Sequence, residues 1–343
     1  MLDDPLGGPM KTTRQLALAT VASLIALQAP AAAATTDLQP EDLPHGSDIA
    51  IAHIEDGDLV ARGRTFVVGG DRAYLLGRSG SAWIVGTTSA DGQSDRKIKR
   101  VFPDGTFRTL LKGIEPYNVV VSEDGRRLVR SKYVRGRSVV KLWSARSGKL
   151  KVSRTFDEVY DAPAARSGRK VLLSGWESGV AWWDTVTGSI TRVTKRPLNA
   201  VDLGSDRLAS YTDDPYQGGC TKVTPLSAPR HVLWKSCDER VDAFSPDGDR
   251  MATIGILSDG LGPAEVTVHE IGGDRLASYR TNWFGAVEWE SDTRLLLEVN
   301  GQTQSSTVRC EVDECENATD PVPVQAPRTV APRRELVRQS PRG

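Results

Sequence analysis

The chain has no surplus of charge of either sign: 44 Lys and Arg face 44 Asp and Glu in 343 residues. That balance removes the electrostatic reason to expect nucleic acid or an anionic membrane as partner. Histidine is scarce, with four scattered residues, and the four cysteines contain no C-x2-C pair. Neither a metal nor a cofactor is therefore expected. The sequence holds no G-x-S-x-G elbow, no H-E-x-x-H, no phosphate loop and no dinucleotide fingerprint. Past the N-terminus no apolar run is long enough to cross a bilayer. Helical periodicity is weak, whereas 32 Gly and 19 Pro imply many turns.

The N-terminus reads as an export signal over residues 1–34. Lys11 and Arg14 precede the apolar stretch Leu16 to Leu27, and Ala32-Ala33-Ala34 supplies small residues for cleavage before Thr35. Asp3 and Asp4 fit a basic leader poorly, which makes Met10 a candidate true start. No cysteine sits at the cleavage point to take a lipid. A secreted or cell-envelope location permits disulfides. Cys220 and Cys237 flank a hairpin with its midpoint at Ala228-Pro229, and Cys310 and Cys315 flank a tighter one at Val312-Asp313. Cys220–Cys237 and Cys310–Cys315 are the expected pairs, since each faces itself across neighbouring strands.

A four-run pattern fills the rest. Its first turn falls at Ser79-Gly80, Asp124-Gly125, Ser167-Gly168, Ser205-Asp206, Asp247-Gly248 and Ser291-Asp292. Its last turn falls at Asp104-Gly105, Ser147-Gly148, Thr187-Gly188, Ala228-Pro229, Gly272-Gly273 and Val312-Asp313. Both series step by roughly 40 to 45 residues, the span of one four-stranded propeller blade. A sandwich would break such a period with sheet-switching connections. The expectation is an all-β propeller over residues 49–319. Six complete repeats plus N-terminal strands make seven blades; six blades with an N-terminal flap is the alternative. Gly63 lies one step before Gly105, so the N-terminal strands take the second to fourth places of a blade. A strand from beyond Thr319 is expected to complete that blade and close the ring. Residues 35–48 read as a mobile polar leader, and 320–343 as a disordered Pro/Arg-rich tail.

Phe244-Ser245-Pro246-Asp247-Gly248-Asp249-Arg250, with its near copy Val121 to Arg127, resembles the FSPDG(K/R) signature of WD40-like repeats in TolB-type (PD40) propellers. Val140 to Trp143 and Ala181 to Asp184 are similar to the third-strand ending of WD40 repeats. With the export signal and the Cys310–Cys315 hairpin, the set resembles secreted WD40-like propellers of actinobacteria. These motifs speak to fold. The Gly-His dipeptide of WD40 blades is absent.

In a four-stranded meander the second-to-third connections and the blade-to-blade connections emerge on one face. Thr87 to Arg96, Lys132 to Ser138, Asp213 to Gly219, Ile256 to Pro263 and Asn300 to Ser305 are read as long connections of the first kind. Tyr117, Tyr160, Trp176, Tyr216 and Trp283 fall on this elaborated side and are the candidate binding residues. No catalytic residue is assigned. Asp91 to Asp95 and Asp213-Asp214 miss calcium-loop spacing and read as solvated loops. The favoured function is a non-catalytic binding scaffold, monomeric, taking a protein, peptide or glycan of the envelope. The alternative is a propeller glycan hydrolase or lyase using acids such as Glu115, Asp161, Glu177 and Asp213.

Overall fold

The computed structural model of the chain describes residues 35–324. The stretch expected to be an export signal, residues 1–34, and most of the Pro/Arg-rich tail lie outside the described residues. The architecture is a seven-bladed β-propeller of antiparallel meanders. Blade 1 has three strands, His53–Glu55, Asp58–Ala61 and Arg64–Phe66. Blade 2 runs from Arg72 to Lys112, blade 3 from Val120 to Phe156, and blade 4 from Asp161 to Thr194. Blade 5 runs from Leu198 to Ser236, blade 6 from Glu239 to Arg280, and blade 7 from Trp283 to Asn317. Each of these six follows the order first-second-third-fourth strand. In five of them the first and second strands pair through a register shift, as between Val241 and Ala243. Such bulges add twist, which turns a flat meander into a blade.

The turn motif that marks the repeats serves the turn and the neighbouring blade at once. Ser245 Oγ donates to Asp247 Oδ1 at 2.6 Å and accepts from the Arg250 N–H at 2.9 Å, closing the turn on itself. Ser122, Asp124 and Arg127 repeat the arrangement in blade 3. Gly248 and Gly125 both have positive φ, 76° and 63°. A Cβ at Gly248 would stand 2.4 Å from Ser205 Cβ, and one at Gly125 would stand 2.7 Å from the Arg78 carbonyl. Both neighbours belong to the previous blade's first turn. The glycine is therefore required by the turn and by blade-to-blade approach together.

Apolar clusters weld successive blades. Trp83 with Phe66 and Leu59 joins blades 1 and 2, and Trp143 with Ile84 joins 2 and 3. Trp183 with Phe156 joins 3 and 4, and Leu172 with Val201 joins 4 and 5. Trp234 with Phe244 joins 5 and 6, and Tyr279 with Phe284 and Trp289 joins 6 and 7. Among the described residues no such cluster joins blade 7 to blade 1. That joint is polar. Arg309 donates from Nε and Nη2 to both oxygens of Glu290, at 2.5 and 2.8 Å. Its other N–H groups reach the Ser47 carbonyl, the Asp48 carbonyl and Glu316 Oε1, at 2.8, 2.9 and 2.8 Å. All five guanidinium donors are used. Glu290 Oε1 also accepts from the Ala50 N–H at 2.7 Å. The Arg309 and Glu290 side chains are 5% and 4% exposed.

Two expectations are corrected by the structure. The strand beyond Thr319, Val322–Pro323, does not complete blade 1; it pairs with Gln304 and Ser305 on the third strand of blade 7. Pro327, Pro332 and later residues lie outside the described residues. Nor is 35–48 a loose leader. Thr35–Asp37 adds a parallel strand to the outer edge of blade 6, beside Ser278 to Arg280. Leu38 is fully buried between blades 6 and 7. The 3-10 turn Pro40–Asp42 follows, with Thr303 Oγ1 donating to Glu41 Oε1 at 2.6 Å. Asn317 Nδ2 then donates to the Pro40 and Leu43 carbonyls at 2.8 and 3.1 Å. One apolar side chain and an exposed sheet edge bind a segment whose composition reads as polar. The run Ile49 to Ile54 is paired only from His53, because 47–50 is committed to the joint.

The expected disulfides are both present, Cys220–Cys237 and Cys310–Cys315, with sequence separations of 17 and 5. The first ties the blade 5 connection to the entry of blade 6; the second is the register pair next to Arg309 and Glu316. From loop length they contribute about 3 and about 2 kcal/mol. Reductant should lower the urea midpoint of the protein while leaving its far-UV circular dichroism at native strength.

Burial pushes the Glu290 carboxyl up, but donation from Arg309 and the Ala50 N–H outweighs it, leaving the group below its ordinary 4.5. A depressed carboxylate stabilises fully above 4.5 and progressively less as pH falls through its folded value. Removing one partner of a buried pair costs about 3 to 5 kcal/mol. Glu290→Gln should thus lose about that much at pH 7, and the gap to the native chain should shrink toward pH 3. Urea denaturation at the two pH values reads this directly.

Candidate functional site

Strand order fixes which connections share a face. On one side emerge 157–160, 176–178, 195–197, 212–220, 237–238 and 256–264, the second-to-third and blade-to-blade connections of blades 4 to 6. The other side carries the first-to-second and third-to-fourth turns, short in these blades except at 226–233. Elaboration is uneven: 89–96, 212–220 and 256–264 are long, as expected. The expected loop at Lys132 to Ser138 is instead a tight hairpin around Arg135-Gly136, with Val134 paired to Arg137. Asn300 to Ser305 also shrinks, because strands run to Asn300 and resume at Gln304.

The candidate aromatics separate by burial. Trp176 is 54% exposed and Tyr216 is 71% exposed. Tyr117, in the 3-10 turn Pro116–Asn118, and Trp283 are half-buried. Trp283 opens the first strand of blade 7 rather than lying in a connection, and the Gly262 backbone lies against it. Tyr160 is not a surface residue: it is 3% exposed, edge-on to Phe156 at 5.7 Å, with its N–H held by Ser138 Oγ. It fills the joint between blades 3 and 4. Burial pushes its phenol above the ordinary value.

The exposed residues form an arc over three blades. Trp176 of blade 4 packs on Tyr211 of blade 5, ring centres 6.0 Å apart. Tyr216 sits on a 3-10 turn capped by the Asp214 side chain. Its hydroxyl points to Asp259 Oδ2 of blade 6, 3.5 Å away. Leu257 and Leu261 of that same loop are about half exposed. Tyr133 and Val159 extend the arc toward blade 3. Among the described residues, the exposed large apolar side chains of the other side, such as Phe107, Leu150, Val186 and Val232, include no Trp or Tyr. Sequence reasoning missed Tyr133, Val159, Leu257 and Leu261; for the last two, the length of the 256–264 connection was the available signal.

Charge on the two sides differs as well. The six connections of blades 4 to 6 on the arc side hold Asp157, Glu158, Glu177, Asp213, Asp214, Asp238 and Asp259 against Lys195 and Arg196. The six turns opposite hold Asp206, Asp247, Asp249 and Asp274 against Arg166, Arg169 and Arg230. On that opposite side an open cavity of about 390 Å³ is lined by Asp247, Asp249, Arg250, Glu270, Asp292 and Thr293. Asp292 Oδ1 accepts the Asp247 N–H at 3.0 Å, so part of this lining is turn structure.

No arrangement for acid–base chemistry stands out among the described residues. Glu115 is clamped by Arg96 at 3.2 Å and Arg130 at 3.4 Å. Burial pushes Glu239 up, yet hydrogen bonding from His269 holds it below its ordinary value. Asp184 is likewise held low by the Thr187 N–H and Arg169. Downward shifts of this kind mark paired, structural carboxylates; a general acid needs the reverse. His269, Glu239 and Thr253 lie together in blade 6, with Nε2–Oε2 3.1 Å and Oγ1–Oε1 3.1 Å. The hydroxyl donates to the carboxylate, not to the imidazole, so this is not the geometry of an activated nucleophile. No group of His, Cys, Asp and Glu among the described residues could hold a metal ion. No described helix is long and apolar enough to cross a membrane.

Comparison with protein-family models and with curated protein sequences finds no match. Among solved structures the chain is similar to one in the mitotic checkpoint complex: 13% identity, TM-score 0.49, 76% of this chain and 87% of that one. It is similar to TolB from Acinetobacter baumannii: 14% identity, TM-score 0.45, 70% and 61%. A third is the β-propeller domain of the Trilobed protease from Pyrococcus furiosus, described as having an open velcro topology: 13%, 0.48, 71% and 84%. Such neighbours are WD40 and TolB-type propellers. Likeness at this level says nothing of a site or a partner.

Tyr160 and Trp176 should part company on substitution. Tyr160→Ala empties a packed joint and should cost about 3 to 5 kcal/mol. Trp176→Ala should stay within about 1 kcal/mol of the native chain. Paired urea titrations measure both.

Proposed function

We propose that the chain is an exported, non-catalytic propeller that binds an envelope or extracellular partner through the face bearing the long connections. The observation that carries this is the exposed arc of Trp176, Tyr216, Leu257 and Leu261 on three adjacent blades. Aromatic side chains give large contact area at low entropy cost, and hot spots are enriched in them. A rigid ring below and elaborated loops above are the division of labour expected of a binding scaffold. Export is supported by the signal-like leader and by two disulfides, which persist in oxidising compartments. Tyr117 and Trp283, half-buried on the same side, are assigned to the rim; Tyr160 is left to the core.

The test is capture from an envelope extract and on a glycan array by the secreted protein. Trp176→Ser with Tyr216→Ser should weaken capture by about tenfold or more. Glu123→Gln with Asp249→Asn, on the tight-turn side, should leave it intact. Equal loss from both pairs, with both proteins folded by circular dichroism, would remove the arc as the binding surface.

A further inference from the structure

We propose that the partner this face takes is a cationic polypeptide segment, docked by its Lys or Arg side chains along the arc from Glu177 to Asp259. The assignment rests on the arc being the binding surface. Its basis is charge set beside exposed aromatic rings. Seven carboxylates meet two cations in the connections of blades 4 to 6 on this side, against four and three opposite. Of the two cations, Arg196 is already committed to the Thr212 carbonyl. Among the described residues, Asp157 is the one of the seven carboxylates with a cation in contact from a neighbouring strand, Arg137 at 3.0 Å.

An Arg or Lys head over Trp176 or Tyr216 gains from the ring quadrupole when it lies within about 6 Å. Glu177 adjoins Trp176 in sequence, and Asp259 meets the Tyr216 hydroxyl, so a carboxylate stands beside each ring. The fold already uses this pairing: Arg154 lies 4.7 Å over Phe156, and Arg62 lies 5.5 Å over Trp83. The apolar stems of such side chains have Leu257 and Leu261 to lie along. A neutral glycan would satisfy the rings and leave the carboxylates with no counterpart. An acidic glycan would be repelled. Three blades in a row also suit an extended segment better than a single small molecule.

The test uses the full chain and a labelled Arg-Ala-Arg-Ala-Arg-Ala-Arg peptide, followed by fluorescence anisotropy, with Gln-for-Arg and Glu-for-Arg peptides alongside. The Arg peptide should bind, the Glu peptide should not, and affinity should fall about tenfold between about 50 and 300 mM NaCl. Asp213→Asn, Asp214→Asn and Asp259→Asn together should cost about tenfold, as should Trp176→Ser with Tyr216→Ser. Asn keeps the cap at position 214, so the Tyr216 loop stays formed. Equal binding of the Arg and Gln peptides overturns the cationic assignment. Loss in the aromatic variant with none in the carboxylate variant overturns it too, while leaving the face in place. No loss in either variant removes the face itself. The chain's own cationic segment is the competing occupant, tested by changing Arg328, Arg333, Arg334, Arg338 and Arg342 to Gln. Affinity within about twofold supports a separate partner; a gain of about tenfold shows the chain filling its own face and overturns the assignment.

Discussion

A ring of blades is only as sound as its last joint, and here that joint is a buried ion pair. Six joints are apolar, made of strands that follow one another in sequence. The seventh must join segments more than 230 residues apart, and blade 1 offers it three strands and no completing one. Arg309 solves this by turning every donor outward from one point. It grips Glu290 and Glu316 of blade 7 and the carbonyls of Ser47 and Asp48 that lead into blade 1. A buried pair is weak evidence for net stability, because desolvation offsets its attraction. What it supplies is position: five hydrogen bonds in fixed directions admit one alignment of the two ends. The Cys310–Cys315 bond, one residue along from Arg309 and Glu316, keeps two of its participants in register.

The strap before the joint shares that load. From Thr35 to Gly46 the chain passes the outer edges of blades 6 and 7, covering strand edges that would otherwise stand open. Leu38 enters the apolar cluster of those blades, so the strap and the joint hold neighbouring parts of the same wall. Closure is thus distributed between an edge strand, one inserted leucine and one guanidinium, in place of a shared sheet.

What could be read from the sequence was local. Turn glycines announce themselves because a positive φ and a close blade-to-blade approach leave no other residue, as at Gly125 and Gly248. Cysteine pairs could be read because each sits across one hairpin. The strap could not be read, because Thr35–Asp37 pairs with residues some 240 positions away and carries no apolar run. The candidate site was half legible for the same reason. Tyr160 and Trp176 both fall at connections, and sequence places them alike. What separates them is direction: Tyr160 turns into the joint against Phe156, while Trp176 turns out over Tyr211.

That difference also explains why the arc gathers on blades 4 to 6. The apolar contacts of these blades to one another are complete. Their loops play no part in closing the ring, whereas the blade 7 connection at Gln302 and Thr303 is spent on Gln39 and Glu41 of the strap. The Cys220–Cys237 bond then fixes the base of the 212–220 loop to the entry of blade 6. A loop rooted at both ends can hold Tyr216 out in solvent without leaving it free to fold back, and an aromatic group ordered in advance loses less entropy when a partner arrives. The same fold therefore divides its ring between polar closure on one arc and an ordered, acid-flanked aromatic surface on the other.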